Sequence, residues 1–175
     1  MKIIEIGPGG VALGDEHDHW LLLSAAPEIA QHALLDDAAR DGRLAGVVLL
    51  DAQLEHAARL AALSRARPLA LYATPGVFEA LTMRLPRLGD LRWHPLPVAG
   101  DVHSAEFGVE GMASLRCVAV DADADAGEGD GAGAHAAVGA RLALIVEDRH
   151  SGQRLAYSAR RGAGTRGDAG LEIAR

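Results

Sequence analysis

One stretch of the chain, residues 44–73, constrains the fold more than any other. Leu44–Leu50 is a short, continuously apolar run, which is typical of a strand buried on both faces. After Asp51 the apolar residues recur with helical spacing until Pro68, and Leu69–Ala73 is again apolar. This order predicts a β–α–β unit, in which two parallel strands are joined by a right-handed crossover.

The sequence before this unit predicts a strand, a hairpin and a helix. Lys2–Ile6 is the strand, and Val11–Leu13 and Trp20–Leu23 are two apolar runs separated by a polar turn, as in a hairpin. Ser24 is in place to cap a helix that starts near Pro27 and ends near Asp41-Gly42.

The sequence after it predicts a further helix and five further strands. The helix covers residues 76–84. The strands cover residues 91–96, 106–109, 115–120, 141–147 and 154–158. The last two form the clearest hairpin, with a turn at His150-Ser-Gly152. Parallel strands at the start and antiparallel strands at the end predict an α/β fold with a mixed sheet.

Length and composition predict one domain with two poorly patterned segments. With 175 residues the chain suits a single core, since one domain takes about 150 residues. We expect the domain to cover residues 1–160. Residues 121–140 are rich in Asp, Ala and Gly without a hydrophobic period, which predicts a flexible loop. Residues 161–175 form a basic, Gly-rich tail that we expect to fray.

Charge and cysteine content exclude several classes of protein. The net charge is −7, with five acids in residues 121–130, and this balance argues against a nucleic-acid partner. Cys117 is the only cysteine, so a disulfide framework or a cysteine-based zinc site within one chain is excluded. The N-terminal apolar run is short, and no stretch is long enough to cross a membrane, so we expect a cytoplasmic protein.

The best-placed polar cluster is Asp51, Gln53, Glu55 and His56, where the buried strand gives way to a helix. In open α/β sheets, ligands bind at the carboxyl ends of the strands. Carboxylate oxygens with an imidazole nitrogen suit iron, manganese or zinc, so these four residues are candidate metal ligands. The alternative is structural: Asp51 caps the helix and Glu55 interacts favourably with its N-terminal dipole.

The same stretch resembles a known motif. Asp51-Ala-Gln53-Leu-Glu55-His56 is similar to the Asp-x-Gln-x-Asp-His pattern of the B proteins of pyrroloquinoline quinone (PQQ) biosynthesis, the PqqB family, within the metallo-β-lactamase superfamily. Glu55 stands where that family has Asp. Other segments match in order: His19–Ile29, Leu69–Thr74, Gly89–Trp93, Leu144–Asp148, Gly152–Tyr157 and Gly162.

This resemblance implies a fold and a function. The fold would be the first half of a metallo-β-lactamase αββα sandwich, with a mixed sheet and helices on one face. An uncovered apolar face would then favour a homodimer. The function would be metal-dependent hydroxylation of the tyrosine of the PQQ precursor, or transport of PQQ or its precursor. The cofactor would be iron, with zinc as the alternative, and the partners would be the precursor and other PQQ biosynthesis proteins.

A second hypothesis belongs to a different class. The chain lacks the family's cysteine-rich insertion and ends before a second αβ half with further metal-site residues. A catalytic metal normally needs about three protein ligands and an open position. The alternative is therefore a degenerate, non-catalytic homologue without a metal, acting as a binding or interaction module.

Overall fold

The computed structural model describes residues 1–6, 10–65, 67–85, 88–96, 98, 104–121, 142–158 and 170–174. The strands are β1 Lys2–Ile6, β2 Gly10–Gly14, β3 Trp20–Leu23, β4 Leu44–Leu49, β5 Leu69–Ala73, β6 Leu91–Pro95, β7 Ser104–Phe107, β8 Leu115–Asp121, β9 Leu142–Asp148, β10 Arg154–Ser158 and β11 Gly170–Ala174. The helices are a 3-10 turn at Pro27–Gln31 and α1 Ala33–Asp41, α2 Leu54–Ala57, α3 Leu60–Leu63 and α4 Pro75–Arg84.

The first sheet is mixed and has the order β1-β2-β3-β4-β5-β6. Strands β1 to β3 are antiparallel neighbours, whereas β3 to β6 run parallel. The predicted hairpin and the predicted β–α–β unit are both confirmed. The unit forms because β4 and β5 are buried almost along their whole length, and helical segments cross between them.

Two predicted helices are divided in the structure. The stretch from Pro27 is a 3-10 turn, interrupted at His32 by an extended backbone, and only then does α1 begin. Gly42 ends α1 in the left-handed conformation, as predicted. Ser24 does not cap this segment: Ala26 occupies the cap position, and no side chain bonds there. The crossover between β4 and β5 is likewise divided into α2 and α3.

The helices pack on one face of the first sheet, as predicted. One core cluster lies between that face and the helices and includes Trp20, Leu49, Leu60 and Leu81. Trp20 is packed against Gly14 so closely that a Cβ on Gly14 would lie 2.8 Å from the indole ring.

The opposite face of the first sheet is covered by the chain itself. Strands β7 to β11 form a second, antiparallel sheet with the order β11-β10-β9-β8-β7. A second core cluster joins the two sheets and includes Leu21 and Val48 from the first sheet and Cys117 and Leu144 from the second. The expectation that this apolar face needs a second copy of the chain to cover it is therefore wrong, because the late antiparallel strands fold back over it.

The C-terminal region departs from the expected fraying tail in one place. Gly170–Ala174 forms β11 and pairs antiparallel with β10, from Arg154↔Ala174 to Ser158↔Gly170. The free edge of β10 provides backbone groups for this pairing. The predicted flexible loop, apart from Asp121, lies outside the described residues. No helix in the described part of the chain is long and apolar enough to span a membrane.

Candidate functional site

The carboxyl ends of the parallel strands meet at one edge of the first sheet. Strand β3 is followed by Ser24, β4 is followed by Asp51 after one residue, and β5 is followed by Thr74. Thr74 is engaged in the fold, because its side chain accepts a hydrogen bond from the amide of Val77 and caps α4. Ser24 and Asp51 belong to the candidate site. We call this edge of the sheet, where β3, β4 and β5 end, the carboxyl edge.

Asp51 and His56 lie in direct contact at this edge. His56 Nδ1 is 2.9 Å from Asp51 Oδ1 and 3.1 Å from Oδ2, and Asp51 Oδ1 also accepts a hydrogen bond from the Gln53 amide at 3.0 Å. Both side chains are largely buried, with exposed fractions of 9% for Asp51 and 16% for His56. The aspartate and the histidine, five positions apart, thus lie together at this edge, and their role as metal ligands stays a prediction.

The backbone around Ala25 holds the helical segment in place. The amide of Ala25 donates to the His56 carbonyl at 2.6 Å, and the amide of Arg59 donates to the Ala25 carbonyl at 2.9 Å. These two bonds fasten the region of α2 and α3 to the loop that follows β3. The position of His56 is therefore set from two sides, by Asp51 through its ring and by Ala25 through its backbone.

The surroundings favour a charged imidazole. The hydrogen bond that His56 makes to the Asp51 carboxylate raises the pKa of His56; burial opposes this effect, and the negative charges of Asp51 and Glu55 add to it. Asp51 also acts across the sandwich: burial first, and then the charge of Asp51, raise the pKa of Tyr157 on β10. The second sheet thus contributes a side chain to the electrostatics of the carboxyl edge.

The four residues predicted as metal ligands are not brought together as a set. Gln53 contacts Asp51 through its backbone amide and is half-buried, and Glu55 is exposed. The Asp51 carboxylate faces Nδ1 of His56. Within the described residues, no group of three His, Cys, Asp or Glu side chains could hold a metal ion. On their own, the described residues do not fit a resident metal, and we derive no chemical step through one.

Two residues at the carboxyl edge escape prediction from the sequence. Ser24 Oγ and Arg59 Nε are buried polar atoms without a hydrogen-bond partner among the described residues, and Ser24 has a φ of 120°. The sequence predicts Ser24 as a helix cap and gives no particular role to Arg59. The backbone of Arg59 bonds to Ala25, the residue after Ser24, and no local pattern encodes that contact.

A cavity lies elsewhere, at the opposite edge of the sandwich. Its volume is about 380 Å³, and its lining includes Lys2, Asp15, Asp148 and His150. Asp15 precedes β3, so the cavity opens where the first parallel strand begins, whereas Asp51 follows a strand's end. The cavity is not part of the site around Asp51 and His56.

Two stacked layers, a mixed sheet with outer helices and an antiparallel sheet, place an Asp–His pair directly after a central parallel strand. This architecture agrees with a family comparison: residues 19–169 match the model of the beta-lactamase superfamily domain. The chain belongs to this superfamily. The predicted fold class is confirmed.

Among individual relatives, the chain is similar to coenzyme PQQ synthesis protein B. It is 32% identical to the protein of Nitrosococcus oceani and 28% identical to that of Pseudomonas entomophila, in both cases over 85% of this chain and 52% of the relative. The chain thus spans about half the length of the curated relatives it matches. The resemblance to the PqqB family, first indicated by the motifs, is confirmed.

A solved structure agrees with the fold. The crystal structure of Zn²⁺-bound PqqB from Methylobacterium extorquens matches with a TM-score of 0.53 and 20% sequence identity, over 84% of this chain and 47% of that one. At this identity the match supports the architecture of the two sheets.

Proposed function

We propose that this chain acts in PQQ biosynthesis as a PqqB-like protein, with Asp51 and His56 at the centre of its site. The relatives named above are PQQ synthesis proteins, and the chain matches them over most of its length. The observation that carries the proposal is the contact between Asp51 and His56, because it lies at the sheet edge where α/β proteins bind ligands.

The geometry supports different roles for the two side chains in this proposal. Asp51 engages Nδ1 of His56, and within the described residues none of the ring's hydrogen bonds uses Nε2. A carboxylate behind a histidine fixes the orientation and tautomer of the ring and makes its other nitrogen more basic. In our proposal, Asp51 is a positioning residue, and His56 Nε2 is the atom that meets the ligand.

Two forms of this function remain distinct. In the first, the chain takes part in metal-dependent hydroxylation of the PQQ precursor, or in its transport, and Asp51, Gln53, Glu55 and His56 contribute part of an iron or zinc site. In the second, the chain is a non-catalytic module that binds the precursor or another PQQ biosynthesis protein. The second form is favoured by one observation: both Asp51 oxygens lie within hydrogen-bond distance of the same His56 nitrogen instead of facing a shared third point.

The role in PQQ biosynthesis is tested by complementation. A PQQ-producing bacterium without its own PqqB is supplied with this chain, and PQQ in the medium is measured. We expect PQQ to appear with the wild type and with His32→Ala, a half-exposed histidine outside the site, and to fall strongly with His56→Ala. No PQQ with the wild type, or equal amounts from the two variants, would overturn the proposal.

Metal analysis of the purified chain separates the two forms. About one iron or zinc per chain that is lost in His56→Ala and kept in His32→Ala would support the hydroxylase form. A metal content far below one per chain that does not change in His56→Ala would support the non-catalytic module. The expected homodimer and the expected cytoplasmic location stay predictions.

A further inference from the structure

The helical crossover between β4 and β5 is interrupted just after His56. In a continuous helix the amide of Arg59 would donate to the carbonyl four residues earlier, that of Glu55. In the structure it donates instead to the Ala25 carbonyl at 2.9 Å, and the His56 carbonyl accepts a hydrogen bond from the Ala25 amide at 2.6 Å. The backbone of Ala25 is therefore bonded to both sides of the break between α2 and α3.

The helix that carries His56 has little stability of its own. It covers only Leu54–Ala57, and no side chain caps its N-terminus at Gln53. Helices this short are unstable alone, because most of the stability of a helix in a protein comes from its tertiary contacts. The backbone position of His56 thus depends on contacts from outside α2, and the two hydrogen bonds of Ala25 are such contacts.

Ser24, directly before Ala25, has a strained backbone. Its φ is 120°, a value that residues with a side chain rarely adopt; among the described non-glycine residues, only Asp18 also has a positive φ. The side chain of Ser24 is 3% exposed, and its hydroxyl has no hydrogen-bond partner in the described part of the chain that would compensate for the strain. Strain of this kind persists only where the surrounding structure holds it, and it is typical of functional sites.

We propose that Ser24 is a positioning residue for His56. The strained backbone of Ser24 turns the chain at the end of β3 so that Ala25 bonds to α2 and α3, and the buried side chain of Ser24 holds this turn. Asp51 orients the ring of His56, whereas Ser24 acts through Ala25 on the backbone that carries the ring. This inference rests on the proposed function, in which His56 meets the ligand.

Amide hydrogen exchange of the full chain, followed by NMR, tests the mechanical part of the proposal. Ser24→Gly removes the side chain that holds the turn, and glycine adopts many backbone conformations at little cost. We expect the amides of Ala25 and Arg59 to exchange about tenfold faster in this variant, the scale of one hydrogen bond, although its melting temperature rises. Ser24→Ala keeps the Cβ and should exchange at wild-type rates. A merely structural role would change stability and exchange in the same direction.

PQQ formation per folded molecule, measured in the strain without PqqB, tests the functional part. Ser24→Gly should form about tenfold less PQQ than the wild type, because a displacement of about 1 Å can slow a reaction by up to about a hundredfold. Ser24→Ala should form clearly more PQQ than Ser24→Gly. The matched control is Asp18→Gly, which relieves a positive φ at an exposed residue in the turn before β3. It should change neither the exchange of Ala25 and Arg59 nor the PQQ formed.

Several results would overturn the role of Ser24. A lower melting temperature in Ser24→Gly would show that no strain had been relieved. Unchanged exchange, unchanged PQQ formation, or the same effects in Asp18→Gly would each remove the positioning role. PQQ formation that depends on His56 but not on Ser24 would leave the proposed function standing and remove this inference alone. If the wild type forms no PQQ, the proposed function fails, and the positioning role fails with it.

Discussion

The two edges of the sandwich each contain buried polar side chains, but they differ in how these are bonded. At the edge opposite the site, Asp148 accepts hydrogen bonds from the Met1 amine, the His150 amide and the Ser151 hydroxyl. Asp15 accepts hydrogen bonds from the amides of His17 and His19. Among the described residues, Ser24 Oγ and Arg59 Nε at the carboxyl edge have no partner; towards the other edge the buried carboxylates are bonded, although the indole Nε1 of Trp20 at the start of β3 has no partner either.

The difference separates a structural role from a binding role. Side chains that are saturated by their own chain stabilise the fold and have little capacity left for a ligand. Side chains that are buried but unsaturated destabilise the fold until something binds. By this reasoning the cavity beside Asp148 is a structural feature, and the carboxyl edge is the functional one.

The largest expected effect is at the saturated edge. Asp148→Ala leaves a buried amine without its carboxylate and should lower the free energy of unfolding by about 3–5 kcal/mol. Urea unfolding of a chain with a C-terminal tag, which keeps the Met1 amine free, measures this. Asp37→Ala removes an exposed partner of Arg40 and should cost less than about 1 kcal/mol. Similar losses of unfolding free energy in Asp148→Ala and Asp37→Ala would contradict the structural role of Asp148.

The same edge should be sensitive to acid. Burial alone would raise the pKa of Asp148, but its hydrogen bonds outweigh burial and hold the pKa well below its ordinary value of 3.8. A lowered pKa means that the stabilisation is fully present above that ordinary value and is lost as the pH falls through the pKa of the folded state. The stability difference between the wild type and Asp148→Asn, followed by urea unfolding, should therefore shrink in strong acid. A constant difference would show that the charge of Asp148 is unimportant.

A smaller loss of stability is expected when Asp51 is replaced. Asp51→Asn keeps the shape but removes the charge facing His56, and it should lower the free energy of unfolding by about 1–3 kcal/mol. The pKa of His56, measured by NMR titration, should fall at the same time, because the bond to Asp51 is the main cause of its increase. An unchanged pKa of His56 would mean that the contact is absent in solution.

The smallest effect, of opposite sign, is expected at Ser24. Ser24→Gly should raise the free energy of unfolding by about 1 kcal/mol, because it relieves the backbone strain and removes an unbonded buried hydroxyl. Thermal unfolding measures the change. Ser24→Ala, which keeps the strain, separates the two contributions. A loss of stability in Ser24→Gly would show that the hydroxyl is bonded within the protein.

The sequence predicts those features that depend on local pattern. The strands β4 and β5 follow from two apolar runs around a helical period, and the contact of Asp51 with His56 follows from their positions on either side of a strand–helix boundary. The cover over the first sheet and the pairing of β11 depend on contacts between distant segments, so local pattern does not reveal them. The same is true of the backbone bonds that join Ala25 to His56 and Arg59.

The central claim is that function resides at the carboxyl edge and stability at the opposite one. Its most direct test is PQQ formation per folded molecule in the strain without PqqB, compared between His56→Gln and Asp15→Asn. We predict that His56→Gln is folded at wild-type levels yet forms little PQQ, whereas Asp15→Asn lowers the amount of folded protein but not the PQQ formed per molecule. The reverse pattern would contradict the account.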